Sequence, residues 1–137
     1  MSTIPRILIV DDNADHRLLL AYQLAKIQTF EIHEAEDGQR ALAICATAPP
    51  DLIFMNLGLP ILDGWETIRQ IRMLAAPLGQ APIIAFTAYA AGGQEEQRAR
   101  QAGCSEYMVK PVLDRAVLQQ IVTSLLARRQ RHYSRCR

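Results

Sequence analysis

Long apolar runs are missing from this sequence. The longest, such as Ile7–Val10 and Leu52–Met55, span a few residues, far short of the roughly 20 that a membrane span requires. No charged-then-apolar leader with a cleavage site opens the chain, because Arg6 precedes only a short apolar run that stops at Asp11 and Asp12. A cytoplasmic location is therefore expected. Cysteine is scarce: Cys45, Cys104 and Cys136 stand far apart, with no CxxC and no Cys/His ligand spacing. That excludes a disulfide framework and speaks against a zinc site. Cys45 falls in an apolar helical pattern and reads as a small buried hydrophobe. Internal repeats and low-complexity linkers are lacking too.

What is present suits one globular domain. The chain has 137 residues, half of them hydrophobic and 21% charged, which is neither disordered nor large enough for two domains. The net charge of +1 hides an asymmetry. Arg128, Arg129, Arg131, Arg135 and Arg137 supply five of the fifteen basic residues, so the body without 128–137 carries ten basic against fourteen acidic residues. The tail 128–137 is expected to be a solvated, frayed or disordered helix end, where arginine is favourable. An anion-binding arm is the competing reading, and nucleic acid is not an expected partner.

Periodicity supplies the architecture. Residues 6–10 (RILIV) form a continuous apolar run, the pattern of a strand buried on both faces. Asn13 can cap a following helix over 14–28, in which Leu18, Leu19, Tyr22, Ala25 and Ile27 fall near helical spacing. Strands are expected at 30–35, 51–55, 82–87 and 105–109. Helices are expected at 38–48 (stopped by Pro49–Pro50), 65–75, 92–102 (stopped by Gly103) and 112–129, with Val117, Leu118, Ile121, Leu125 and Leu126 inward. Pro77 and Gly79 break the chain before the fourth strand. This alternation calls for a three-layer, doubly wound α/β fold with a parallel five-stranded sheet in the flavodoxin-like order 2-1-3-4-5.

Such a sheet binds its ligand beyond the carboxyl ends of its strands. The residues there are Asp11 and Asp12 after the first strand, Asn56 after the third, Thr87 ending the fourth and Lys110 after the fifth. Paired carboxylates suit either a solvated helix start or a hard cation such as Mg²⁺, which takes oxygen ligands. A threonine hydroxyl can donate to an oxygen, and a lysine can hold a phosphoryl oxygen as a point charge. Cation, donor and ammonium about one point are the parts for handling a phosphoryl group.

The segments ILIVDDN at 7–13, DLIFMN at 51–56, LPILDG at 59–64, FTA at 86–88 and AGCSEYMVKP at 102–111 resemble the receiver domain of two-component response regulators, over about residues 5–127. The resemblance implies a signalling module rather than an enzyme. Its partners would be a histidine kinase or histidine phosphotransfer protein, together with a downstream protein target on the strand-5/last-helix face. That face would hold Tyr107, Val112 and residues of 93–101. The resemblance further implies Mg²⁺ at Asp11, Asp12 and the Gly58 carbonyl, with Thr87 as switch hydroxyl and Lys110 as the phosphate-holding lysine. Tyr107 would be the aromatic that swings inward when Thr87 moves. No output domain is expected after residue 129.

At the acceptor the pattern departs. Where the family reads M-D-x-x-x-P, this chain reads Met55–Asn56–Leu57–Gly58–Leu59–Pro60. An amide nitrogen is not a nucleophile, and its oxygen carries no full charge. Asn56 is therefore expected to take no phosphate and to weaken the cation site, while its nitrogen can donate to Asp11 or Asp12. Either an Asp-to-Asn change holds an ordinary receiver in its inactive state, or the receiver is naturally atypical and signals without phosphate. Trp65 is expected to pack against the sheet near the rim. His16 and His33 read as isolated surface or satisfied histidines. Two other classes fit less well. A haloacid-dehalogenase-like, Mg-dependent phosphatase would want a D-x-D pair where Asp11–Asp12–Asn13 stands. A flavodoxin-like cofactor carrier would want a Ser/Thr/Gly phosphate loop where DDNADH stands.

Overall fold

Five parallel strands, β1 (Arg6–Val10), β2 (Glu31–Ala35), β3 (Leu52–Met55), β4 (Ile83–Thr87) and β5 (Glu106–Val109), form one sheet in the order β2-β1-β3-β4-β5. The structure is a computed structural model and describes residues 4–112 and 114–135, with backbone alone at 130–135. Five helices connect and follow the strands: α1 (Ala14–Ala25), α2 (Gly38–Thr47), α3 (Gly64–Arg72), α4 (Gln94–Ala102) and α5 (Arg115–Arg135). The order agrees with the sequence expectation, and β2 to β5 each begin one residue later than expected.

Each strand alternates between two cores. Ile7, Ile9, Leu52, Phe54, Ile84 and Phe86 face Leu20 and Leu24 of α1 and Leu118, Val122 and Leu125 of α5. Leu8, Val10, Ile53, Met55 and Ile83 face Ala41 and Cys45 of α2, Ile68 and Ile71 of α3, and Ala99 of α4. Both faces of the sheet are covered, which is why the strands read as continuous apolar runs. Cys45 is fully buried, and burial pushes its thiol up to about 11. Cys104 is raised from the ordinary thiol value by the same cause. Cys136 lies outside the described residues.

Three local expectations need correcting. On α1 the buried pair is Leu20 and Leu24, four apart, whereas Leu18, Leu19 and Tyr22 are exposed. Three consecutive leucines leave the helical phase ambiguous, and the sheet resolves it. On α5 Val117 is exposed, and Val122 takes the inward place. Finally, α5 continues to Arg135, so residues 128–135 are helical where a frayed tail was expected. Arginine and glutamine are good helix formers. Arg129 is buried, donates to Asp51 Oδ1 at 3.3 Å and so pins the helix to the amino end of β3. The other Asp51 oxygen accepts from Arg6 N–H at 2.8 Å.

Arg72, the last residue of α3, holds the same end of the sheet from the other face. Its guanidinium donates to the carbonyls of Gly103 at 2.8 Å, Ala81 at 2.6 Å and Gly79 at 3.1 Å. Burial lowers its pKa. Arg72→Met keeps the aliphatic stem but strands these acceptors. A loss of about 2 kcal/mol is expected from such under-satisfied carbonyls, read as a lower urea midpoint at unchanged m-value.

Candidate functional site

The strand ends that the sequence singles out all lie on one edge of the sheet. Asp11 and Asp12 follow β1, Asn56 follows β3, Thr87 ends β4 and Lys110 follows β5. Hydrogen bonds join them. Asn56 N–H donates to the Val10 carbonyl at 2.9 Å and Lys110 N–H to the Thr87 carbonyl at 2.7 Å, extending the ladder past the strands. The Lys110 ammonium donates to Asp11 Oδ2. The Asn56 amide nitrogen donates to Asp12 Oδ1 over a long 3.4 Å. Thr87 is buried, and its hydroxyl oxygen accepts from Tyr89 N–H at 3.4 Å.

Caps aim the adjoining helices at this edge. The Asn13 side chain accepts from the Asp15 and His16 amides at 2.8 and 3.2 Å, starting α1 directly after the acidic pair. Asp63 accepts from Glu66 N–H at 2.8 Å and starts α3. Between Asn56 and α3 the loop closes on itself, with Gly64 N–H donating to the Leu57 carbonyl at 2.8 Å and Leu62 N–H to the Pro60 carbonyl at 2.7 Å. Ile61 lies in this loop, exposed, with a φ of 68°. That left-handed backbone is strained for a β-branched side chain.

Two residues beside this edge, His16, which the sequence presents as isolated, and Tyr89, which it does not single out, make contacts with it. His16 is half-exposed, yet its Nδ1 lies 3.3 Å from Lys110 Nζ and 3.7 Å from Asp11 Oδ2. It is therefore not isolated. Its place on the first turn of α1, directly behind the acidic pair, was the available signal. His33 pairs with Glu31 at 2.8 Å on the far edge of the sheet. Tyr89 is the second residue. A Cβ added at Gly58 would meet the Tyr89 hydroxyl oxygen at 3.5 Å, so the ring stands beside the acceptor loop. Tyr107 is buried, and its hydroxyl donates to the Tyr89 carbonyl at 3.0 Å. Burial, followed by the nearby Glu95 and Glu96, raises the Tyr107 phenol. Trp65 packs between helices as well as on the core. Its indole N–H donates to the Glu95 carbonyl at 3.2 Å, and its ring centroid lies 5.8 Å from that of Tyr89.

The donor set at the edge is oxygen: the Asp11 and Asp12 carboxylates and the amide of Asn56, whose nitrogen bonds to Asp12. It fits a hard cation with a reduced ligand charge. Asp11 is already engaged, its Oδ1 by Asn13 N–H at 3.0 Å and its Oδ2 by Lys110. Among the described residues no three His, Cys, Asp or Glu side chains gather as a ligand group.

A family model described as the response regulator receiver domain matches residues 7–123. The chain is 38% identical over 130 residues to the transcriptional regulatory protein ResD of Bacillus subtilis, covering 93% of this chain and 51% of that protein. It is 35% identical over 106 residues to the polar-differentiation response regulator DivK of Brucella ovis, covering 77% of this chain and 84% of that one. A solved structure superposes with a TM-score of 0.79 at 32% identity, covering 91% of this chain and 99% of the other. It is the receiver domain of a sensor histidine kinase from Pseudomonas aeruginosa, with a magnesium ion coordinated in the active site cleft. The chain thus spans about half of ResD and most of DivK.

Proposed function

Because the chain belongs to the response regulator receiver family, we propose that it is a receiver of two-component signalling that takes no phosphoryl group and acts through protein contact alone. The observation that carries this reading is Asn56 itself. The side chain at the acceptor position is an amide, and it is turned toward Asp12 by the hydrogen bond from its nitrogen. In a receiver with aspartate there, a carboxylate oxygen attacks phosphorus. Here no such oxygen exists, and the amide nitrogen is delocalised into its carbonyl.

A cation bound here would supply positive charge that offsets the acidic pair and draws an anion to the edge. Asp12, Asp11, the Asn56 oxygen and the Gly58 carbonyl would hold it. Lys110 would hold the anion's far side, and Thr87 would donate to it. In this structure Lys110 rests on Asp11, while Tyr107 is already packed inward. A module set this way presents a fixed face to its partners. The partner on the upstream side would be a histidine kinase or histidine phosphotransfer protein. The downstream target would meet the β5–α5 face, where Val109, Pro111, Val112, Val117 and Ile121 line a groove.

The cation arm of this reading is tested by titrating Mg²⁺ against the emission of Trp65. Removing one unit charge at ~4 Å from a divalent ion costs several kcal/mol at an effective dielectric near 20 before water compensates. The parent is therefore expected to bind Mg²⁺ at least about tenfold more weakly than Asn56→Asp. Equal affinities would remove the electrostatic argument.

A further inference from the structure

Lys110 is held at the sheet edge by more than its charge. Its ammonium donates to Asp11 Oδ2, and His16 Nδ1 lies 3.3 Å away as a second acceptor. The Phe86 ring centroid, 5.6 Å from Nζ, stands on another side. Among the described residues no hydrogen bond joins this ammonium to Asn56, whose amide nitrogen is turned to Asp12 instead. His16 owes its place to the cap of α1. Its backbone N–H donates to the Asn13 side chain at 3.2 Å, which fixes the first helical turn and sets the ring beside Lys110. Accepting through Nδ1 calls for a neutral ring with its proton on Nε2. The ammonium side chain is 11% exposed and the imidazole 50%. The ring has room to swing away, because His16 and Lys110 border a cavity of about 330 Å³ together with Leu19, Gln23, Phe86 and Val112.

We propose that His16 is a positioning residue that latches Lys110 onto Asp11 and so lowers the affinity of the strand-end edge for a tetrahedral anion. The inference rests on the reading above in which Lys110 holds that anion. Asp11 attracts the ammonium by charge, which is weakly directional. His16 adds a directed bond and draws the ammonium toward α1. Moving it toward an anion beside Asn56 stretches or breaks that bond. Only molecules with the ammonium released are competent, and the apparent affinity falls by the fraction they represent. A hydrogen bond from a charged donor to a half-exposed ring suits a few-fold effect rather than a large one.

Inorganic phosphate is titrated into the full, isotope-labelled chain at fixed Mg²⁺, in mildly alkaline buffer where imidazole is neutral. The NMR shifts of the Thr87 and Lys110 amides report binding. His16→Ala is expected to bind phosphate about threefold more tightly than the parent. His16→Gln, which offers an acceptor oxygen at similar reach, is expected to return the affinity to the parent value. The side chain is half-exposed on a first helical turn, so neither substitution opens the core. The bond itself is read from the ring nitrogens of His16. In the parent their shifts should mark the proton on Nε2, and Lys110→Met should move the Nδ1 signal, which a merely structural imidazole would not show. Equal phosphate affinities in parent and His16→Ala would overturn the latch alone, as would ring shifts that ignore Lys110→Met. Phosphate that leaves both amides unmoved in every variant would overturn Lys110 as the anion holder, and the latch with it.

Discussion

Asn56→Asp is expected to gain the mass of one phosphoryl group when incubated with acetyl phosphate and Mg²⁺, and the parent to gain none. The difference is close to all-or-none because it turns on the existence of a nucleophile rather than on its tuning. Position 56 is half-buried, directly after the last residue of β3, and its backbone N–H is fixed by the Val10 carbonyl. A carboxylate substituted there inherits that placement. It would lie beside Asp12, which the amide already contacts, on the sheet edge shared with Lys110 and Thr87. The carboxylate oxygen would then bond to phosphorus as acetate departs, with cation and ammonium offsetting the charge that gathers on the transferring group. Intact-mass measurement with and without chelator separates this from non-specific acylation, since the gain should require Mg²⁺. Uptake of phosphate by the parent would sink the proposed function.

The second large effect concerns the fold behind that residue. Gly64→Ala is expected to lower stability by about 3 kcal/mol or more, seen as a fall in Tm of about 10 °C. Gly64 needs no special backbone conformation; the constraint is space. A Cβ there would lie 2.2 Å from the Asn56 carbonyl oxygen and 2.6 Å from Leu57 Cα. Both are backbone atoms and cannot rotate away, so either α3 backs off or the acceptor loop shifts. The Gly64–Leu57 hydrogen bond would then lengthen. Combining Gly64→Ala with Asn56→Asp shows which gives way. Loss of stability with normal phosphorylation means the helix moved, and loss of both means the loop did. A Tm unchanged by Gly64→Ala would contradict the close approach.

How legible all this is from sequence depends on what kind of information each element carries. The strands were readable because burial on both faces writes a continuous apolar run, as in RILIV and LIFM. Their carboxyl ends then place Asp11, Asp12, Asn56, Thr87 and Lys110 on one edge without any knowledge of side-chain contacts. The inward face of α1 was not readable, because Leu18, Leu19 and Leu20 offer three phases and only the packed sheet selects one. His16 and Tyr89 were missed for a different reason. Each acts through a neighbour far away in sequence: His16 through Lys110, 94 residues on, and Tyr89 through Trp65, Gly58 and Tyr107. No local pattern marks Tyr89, and for His16 the signal was only its place on the first turn of α1 behind the acidic pair. The helical continuation past Arg128 was obscured by composition. A run of arginines looks like a solvated end until the ion pair from Arg129 to Asp51 is seen.

Ile61 shows what kind of object the loop after Asn56 is. Left to itself, a segment carrying a branched aliphatic residue at positive φ would relax toward extended backbone. It is kept in place by one bond across Ile61, from Leu62 to Pro60, and by one that joins the ends of the loop, from Gly64 to Leu57. The loop is thus a bent spring with its ends tied together, and its shape belongs to its supports more than to its own residues. Energy held there is released only when a support lets go. The residue beside that tie is Asn56, at which the proposed function places the loss of phosphoryl chemistry.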